Sequence, residues 1–276
     1  MAKQNSLSLA TLQKKFSTEE KCRQHLFKLR FPDGFICPKC GHKEYFLITT
    51  RNLYECKSCG YQASITAGTI FHKTRTSLIK WFWAIYFVSR DKGGVSALAL
   101  KKHLNVSYQT AWLMLHKIRK AMEARDENYY LWLIFEKEDV IKNSEEHEIV
   151  IQVAIRSANR KPGFIKLKRI KSKEREAVIE DIKKDLKKKG EILGRVGYDV
   201  SVEEEKFIKK WIGLIMKNLK AYLNGTYHNG CRKHLQRYID EYTYRFNRRL
   251  WEKELFNRLL FACVNAKTIT YTELTG

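Results

Sequence analysis

Four of the seven cysteines fall as two pairs, CPKC at 37–40 and CKSC at 56–59, with fifteen residues between them. Two residues between cysteines let both thiolates of a knuckle face one tetrahedral ion. The gap is long enough for a hairpin that lays the second knuckle beside the first. Cys37, Cys40, Cys56 and Cys59 are therefore expected to hold a structural zinc. Four thiolates close the coordination shell and leave no position for water, so the expected chemistry is folding rather than catalysis. Cys22, Cys231 and Cys263 lie in helical patterns and read as small buried hydrophobes. Disulfides are the weaker alternative in an intracellular chain.

The elements that must position these thiolates are legible around them. Tyr45–Thr50 and Asn52–Glu55 read as strands, and a glycine follows each knuckle. Residues 17–28 read as a helix with Ser17 as N-cap and Glu20 as its capping-box partner, leading into the turn FPDGF at 31–35. Residues 76–90 are apolar all round, which predicts a mostly buried helix. In 94–122, Val95, Leu98 and Leu104 form one apolar stripe, Asn105–Ser107 a capped turn, and Ala111, Trp112, Leu115 and Ile118 a second stripe. Helix, short turn and helix predict a helix-turn-helix. Its second helix would present Ser107, Tyr108, Gln109 and Thr110 to base edges, with Lys117, Arg119 and Lys120 reaching phosphates. An ordinary helical hairpin with polar outer faces is the alternative.

From Tyr129 the pattern changes. Residues 130–137, 148–156 and 163–170 read as β-branched and aromatic-rich strands, 173–190 as an amphipathic helix ended by Gly190, 191–194 as a short strand and 203–223 as a helix. That order suits an RNase H-like domain. Residues 231–266 read as a long helical region with Leu235, Tyr238, Ile239, Tyr242 and Phe246 on one face. Arg245, Arg248 and Arg249 lie off that face, either as solvated surface or facing DNA. The expected fold class is α/β. A zinc ribbon (1–72) and a helix-turn-helix region (73–125) precede an RNase H-like domain with C-terminal helices (126–276).

Charge narrows the partners. The chain of 276 residues carries 53 Lys+Arg against 30 Asp+Glu, a formal net charge of +23. That excess favours a polyanion, most simply nucleic acid, through phosphate contacts and counterion release. A content of 44% hydrophobic residues excludes a disordered polybasic tail. The longest apolar run, Trp81 to Val88, is far shorter than the roughly 20 residues a membrane span needs. No secretory signal is visible. The expectation is an intracellular protein, cytoplasmic or nucleoid-associated, with no membrane partner.

The blocks CRQHLFKLRFPDGFICPKCG (22–41), AGTIFHKTRTSLIKWFWAIYFV (67–88) and GTYHNGCRKHLQRYIDEYTYRFNRR (225–249) resemble zinc-ribbon insertion-sequence transposases related to the Merlin elements, in the order that family has them. The resemblance implies a DDE-type, RNase H-like core in which three acids bind two Mg²⁺ ions. Those ions activate water or a DNA 3′-hydroxyl against a phosphodiester. It also implies double-stranded DNA with terminal inverted repeats as partner, and leaves homo-oligomerisation open. Here the chain departs from the family pattern. Glu138 in FEKED (135–139) falls where the first Asp should be. Leu193 stands at the second acid, and an ungapped count puts Gly213 at the third, with Lys210 where relatives carry Asn. The leading expectation is a transposase-derived DNA-binding protein with a defective core. One alternative is an active transposase with a shifted set, Glu138, Asp199 and Glu205, and bound Mg²⁺. Against it, Glu203–Glu205 suit a helix N-terminus complementing the macrodipole. The other alternative is a zinc-ribbon scaffold for a protein or RNA partner.

Overall fold

The first helices begin where side-chain oxygens meet orphan backbone N–H groups. The computed structural model describes residues 7–127, 133–138, 147–155, 162–171, 174, 176–177, 180–181, 184, 202–227 and 232–275. Its elements in chain order are α1 (Leu9–Lys15), α2 (Glu19–Arg30), β1 (Tyr45–Ile48), β2 (Leu53–Cys56), β3 (Gln62–Ala63), α3 (Leu78–Arg90), α4 (Ala97–Leu104), α5 (Tyr108–Asp126), β4 (Leu133–Glu138), β5 (His147–Ile155), β6 (Pro162–Lys171), α6 (Val202–Tyr227), α7 (Leu235–Asn247), α8 (Leu255–Asn265) and α9 (Tyr271–Thr275). The described residues of 1–124 and 251–276 form one compact unit, and those of 125–250 form another.

In the first unit, Thr18 rather than Ser17 caps α2. Its extended backbone lets the hydroxyl accept from the Lys21 N–H at 3.3 Å, while the Ser17 hydroxyl accepts from Lys21 Nζ. Glu19, the first residue of α2, caps a second helix at a distance. Its carboxylate accepts from the N–H groups of Leu78 and Ile79, each at 3.1 Å, placing negative charge at the α3 N-terminus. Helix α3 buries Trp81, Phe82, Ala84, Ile85, Tyr86 and Val88, as its all-round apolar sequence requires. Asn105 takes a left-handed conformation (φ 48°), which its short polar side chain tolerates, and turns the chain from α4 into α5. The stripe expected on α4 is shifted. Leu98 is 55% exposed, and the buried i, i+4 pair is Leu100 and Leu104.

The C-terminal helix belongs to this unit, not to the domain expected over 126–276. Phe256 on α8 joins an aromatic cluster with Phe16, Phe82 and Tyr86, and Phe16 and Phe82 stand 4.6 Å apart, edge to face. The Ile70 N–H donates to the Cys263 carbonyl on the same helix. The long helical region expected over 231–266 is built from separate helices. Described residues after Asn247 leave the α-helix, and α8 starts again at Leu255. The break contains neither Gly nor Pro, so the residue pattern does not mark it.

In the second unit, β4, β5 and β6 form an antiparallel sheet in sequence order, with Phe135 opposite Ile151 and Ile151 opposite Leu167. Ile165 and Leu167 pack with Ile212, Ile215, Met216 and Leu219 of α6 and Leu235 and Ile239 of α7. Tyr242 and Phe246 flank that core, so the apolar face expected for this segment is the buried one. The expected strand at 191–194 lies outside the described residues. Of the expected helix at 173–190, residues 176–177, 180–181 and 184 are helical.

One ionisable group in the first core reports on folding. His25 lies 5.0 Å from the Phe16 ring and 6.1 Å from Phe82. Burial, reinforced by Lys15 and Lys28, lowers its pKa from 6.5 to about 4. Between those values the unfolded chain takes up a proton that the folded unit refuses, so stability falls as pH drops through that window. Urea unfolding from pH 7 to pH 4.5 is expected to show this loss, and His25→Phe to flatten it. An unchanged profile in His25→Phe contradicts the assignment.

Candidate metal centre and nucleic-acid surfaces

The two cysteine knuckles are built by the same backbone pattern. In the first, the Cys37 N–H donates to the His42 carbonyl and the Gly41 N–H to the Cys37 carbonyl, each at 2.9 Å. In the second, the Cys56 N–H donates to Tyr61 and the Gly60 N–H to Cys56, at 2.9 and 3.0 Å. Both glycines have positive φ, 77° and 67°, the conformation that folds a knuckle back on itself and that side chains resist. Strands β1 and β2 pair with Tyr45 opposite Cys56, and β3 adds Ala63 opposite Tyr54. β3 carried no recognisable pattern in the sequence because it is two residues long.

This framework brings all four sulfurs within 4.8 Å of one another, with Cys40 and Cys56 at 3.5 Å and Cys37 and Cys59 at 3.7 Å. Tetrahedral coordination with Zn–S near 2.3 Å requires sulfur separations of about 3.8 Å. The four thiols therefore fit a zinc ion closely, and no other group of three or more His, Cys, Asp or Glu among the described residues does so. Burial works against a Cys37 thiolate, but the Cys40 and Lys39 backbone N–H groups and the Cys40 and Cys59 thiols bring its pKa down to about 6. The His42 N–H favours a Cys40 thiolate, yet its sulfur neighbours push that group up to about 12. Without a divalent ion the set holds back protons; an ion that displaces them makes binding weaken as pH falls.

The ribbon is docked by aromatic packing and one cation. Phe27 of α2 stacks on Tyr54 at 4.8 Å, and Phe35 meets Tyr45 at 5.0 Å. Arg30 Nη1 donates to the carbonyls of Ser64, Ile65 and Ala67, at 3.0, 2.7 and 2.7 Å. It thereby fastens the chain leaving the ribbon to the end of α2.

The expected DNA-contacting residues divide sharply. Tyr108 and Gln109 are exposed at the start of α5, and Ser107 caps it by accepting from the Thr110 N–H at 3.1 Å. Lys120 is half-exposed and pairs with Glu123 at 3.0 Å. Lys117 and Arg119 are not on a phosphate-facing surface. They are 8% and 2% exposed, and Lys117 Nζ donates to the Ile70 carbonyl. They lie outside the Ala111, Trp112, Leu115 and Ile118 stripe, but α5 is buried over most of its circumference.

Three arginines of the 225–249 block are likewise structural. Arg245 pairs with the buried Glu241 at 2.9 Å, and Tyr227 donates to the same carboxylate. Arg248 lies over the Tyr244 ring and pairs with Asp126 at 2.7 Å, both groups almost fully buried. Arg249 donates to the Gly163 and Phe246 carbonyls. Two amides missed in the sequence do comparable work. Asn247 Oδ1 accepts from the Ile165 N–H, and its Nδ2 donates to the Ile165 carbonyl and to Asp126. Gln236 Oε1 accepts from the Arg169 N–H, and its Nε2 donates to the Leu167 carbonyl. Gln236 and Asn247 stand eleven residues apart, about three turns, so one helix face supplies both. Together they satisfy β6 along its free edge as a fourth strand would.

Of the shifted acidic set, Glu138 ends β4, Glu205 lies on α6, and Asp199 falls outside the described residues. Lys210 is exposed on α6, and a Cβ built on Gly213 meets nothing within 4 Å. No helix among the described residues is long and apolar enough to cross a membrane.

Comparison with known proteins converges on mobile-element proteins. Residues 17–62 match the transposase zinc-ribbon domain of IS1595 type, and residues 193–247 match the ISXO2-like transposase domain. The chain is 26% identical over 114 residues to an uncharacterized protein in transposable element ISH50 of Halobacterium salinarum. That match covers 40% of this chain and 38% of the relative, so the chain accounts for well under two thirds of the relative's length. No solved structure matches the chain. The two domain matches and the relative support a transposase-derived protein of IS1595 type, and the four-cysteine cluster supports its structural zinc.

Cys40→Ser is expected to lose the single bound zinc, measured by elemental analysis, and to unfold residues 37–60 locally, since structural zinc sites carry on the order of 10 kcal/mol. Native circular dichroism with full nucleic-acid affinity in that variant contradicts the assignment. Arg248→Ala strands a buried Asp126 and is expected to cost about 3–5 kcal/mol in urea unfolding. A cost below about 0.5 kcal/mol, ordinary for surface positions, returns Arg248 to the solvent-facing class.

Proposed function

We propose that this chain is a DNA-binding protein derived from a DDE-type transposase, with a catalytic core that no longer cuts. The observation that carries the reading is the pair of transposase-domain matches, ribbon first and ISXO2-like segment second, on one chain of net charge +23. In this reading the α4–α5 pair is a helix-turn-helix that enters the major groove of terminal inverted-repeat duplex. Tyr108 and Gln109 touch base edges while Ser107, Thr110 and Lys120 serve the helix start and the phosphates. Exposure of Tyr108 and Gln109 supports this assignment. The zinc ribbon adds a rigid second contact. Kinship with Merlin-type elements and an RNase H-like core belong to the same proposal; the β4–β5–β6 order and the two helices packed on the sheet are compatible with both.

Loss of cleavage follows from the ligand set. Two-metal chemistry needs converging carboxylates, and Leu193 and Gly213 offer the ions no oxygen from their side chains. What remains is recognition, which depends on hydrogen bonds in the groove and counterion release along the backbone. Fluorescence anisotropy with duplex from the repeats flanking the gene, against scrambled duplex of equal length, tests the reading. Tighter, salt-sensitive binding to the repeat duplex is expected, and Gln109→Ala should cost about 1–3 kcal/mol of that preference while leaving scrambled-duplex affinity unchanged. Equal affinity for both duplexes favours the scaffold alternative and contradicts this one.

A further inference from the structure

We propose that the solvent face of α6 is a second duplex-binding surface, on which Lys206, Lys210, Lys217 and Lys220 contact the phosphate backbone directly. The inference rests on the reading of the chain as a DNA-binding protein and names a surface that reading does not include. All four lysines are exposed. At 100° per residue they fall within an arc of about 80°. The opposite side of the helix is buried through Ile212, Ile215, Met216, Leu219 and Leu223. The stripe is therefore held rigidly by the core of its own unit, not carried on a loop.

Two features set this face apart from an ordinary solvated helix. From Lys206 to Gly225 the sequence contains no Asp or Glu, so Lys210, Lys217 and Lys220 have no acid three or four residues away on the helix to neutralise them, as Glu254 does Arg258 at the start of α8; of the four, only Lys206 has one, Glu203. None of the four pairs with another described residue. Gly213 sits in the middle of the stripe, where an added Cβ would meet nothing, so the face is open to close approach there. The stripe spans about 21 Å along the helix axis, a length over which one strand of duplex presents about six phosphates. Four exposed cations on one face of a helix match a regular row of anions better than they match an apolar or mixed-charge protein face. On this face, fixed ammonium groups meet the phosphates with no metal between them.

The test uses the full zinc-loaded chain and a 30-base-pair duplex, with anisotropy titrations across a KCl series. The variant Lys206→Gln/Lys210→Gln/Lys217→Gln/Lys220→Gln is expected to lower the slope of log affinity against log salt by about 3 and to weaken binding about a hundredfold at low salt. A control removing equal charge elsewhere, Lys14→Gln/Lys21→Gln/Lys28→Gln/Lys92→Gln, is expected to change the slope by less than about 1. Both variants should retain wild-type circular dichroism, since all eight positions are exposed. Equal slope changes in the two variants, or an unchanged slope in the α6 variant, overturn the proposal while leaving the DNA-binding reading intact. Failure of the wild-type chain to bind duplex at any salt overturns both.

Discussion

Four sulfur atoms gathered within 4.8 Å of one another are the constraint on which the N-terminal architecture depends. Strands of four, four and two residues enclose too little apolar surface to fold alone. A tetrathiolate metal supplies the missing free energy. Once the two knuckles are fixed, Tyr45 and Tyr54 present a surface on which Phe27 and Phe35 pack. The chain then leaves the ribbon at a place where Arg30 can gather three carbonyls. Glu19, on the same helix as Arg30, reaches the start of α3. Helix α2 thus links the ribbon to the helical core.

The second unit solves a different problem with the same economy of polar groups. An exposed strand edge invites pairing with another chain. Here α7 covers the edge of β6 with two side-chain amides, and Asp126, ion-paired with Arg248, accepts from the amide of Asn247. Several residues that make the 225–249 block recognisable, among them Tyr227, Gln236, Glu241, Arg245, Asn247, Arg248 and Arg249, therefore hold the unit together. A charge count by itself would have credited its arginines to DNA. Burial and partner geometry return three of them to the fold, while Lys206, Lys210, Lys217 and Lys220 of α6 stay exposed.

Much of this was legible in the residue pattern where the physics is local. The Cys-x-x-Cys spacing, the glycines after each knuckle, the all-round apolar α3 and the turn at Asn105 each encode their structure within a few residues. β4, β5 and β6 also lie where alternation and β-branching put them, within three residues at either end. What escaped was long-range. Nothing near Phe256 says that α8 packs with Phe16, and nothing near Glu19 says that it caps a helix almost sixty residues away. The inward turn of Lys117 and Arg119 likewise depends on neighbours far off in sequence. Ser17 and Thr18 are equally good caps by composition, and only the backbone angles at Thr18 decide between them.

The central claim is that the chain holds transposon-end DNA without cutting it. In the proposed reading, Leu193 and Gly213 take the places where two-metal chemistry would require oxygen ligands, while exposed cations remain to engage the backbone. The most direct measurement incubates the zinc-loaded chain with end-labelled repeat duplex in Mg²⁺ and in Mn²⁺, and resolves the strands at single-nucleotide resolution after complex formation is verified on the same sample. Fully bound duplex with both strands intact is the predicted result. Discrete nicks at the element's end, abolished by Glu138→Ala or Asp199→Ala, would contradict it.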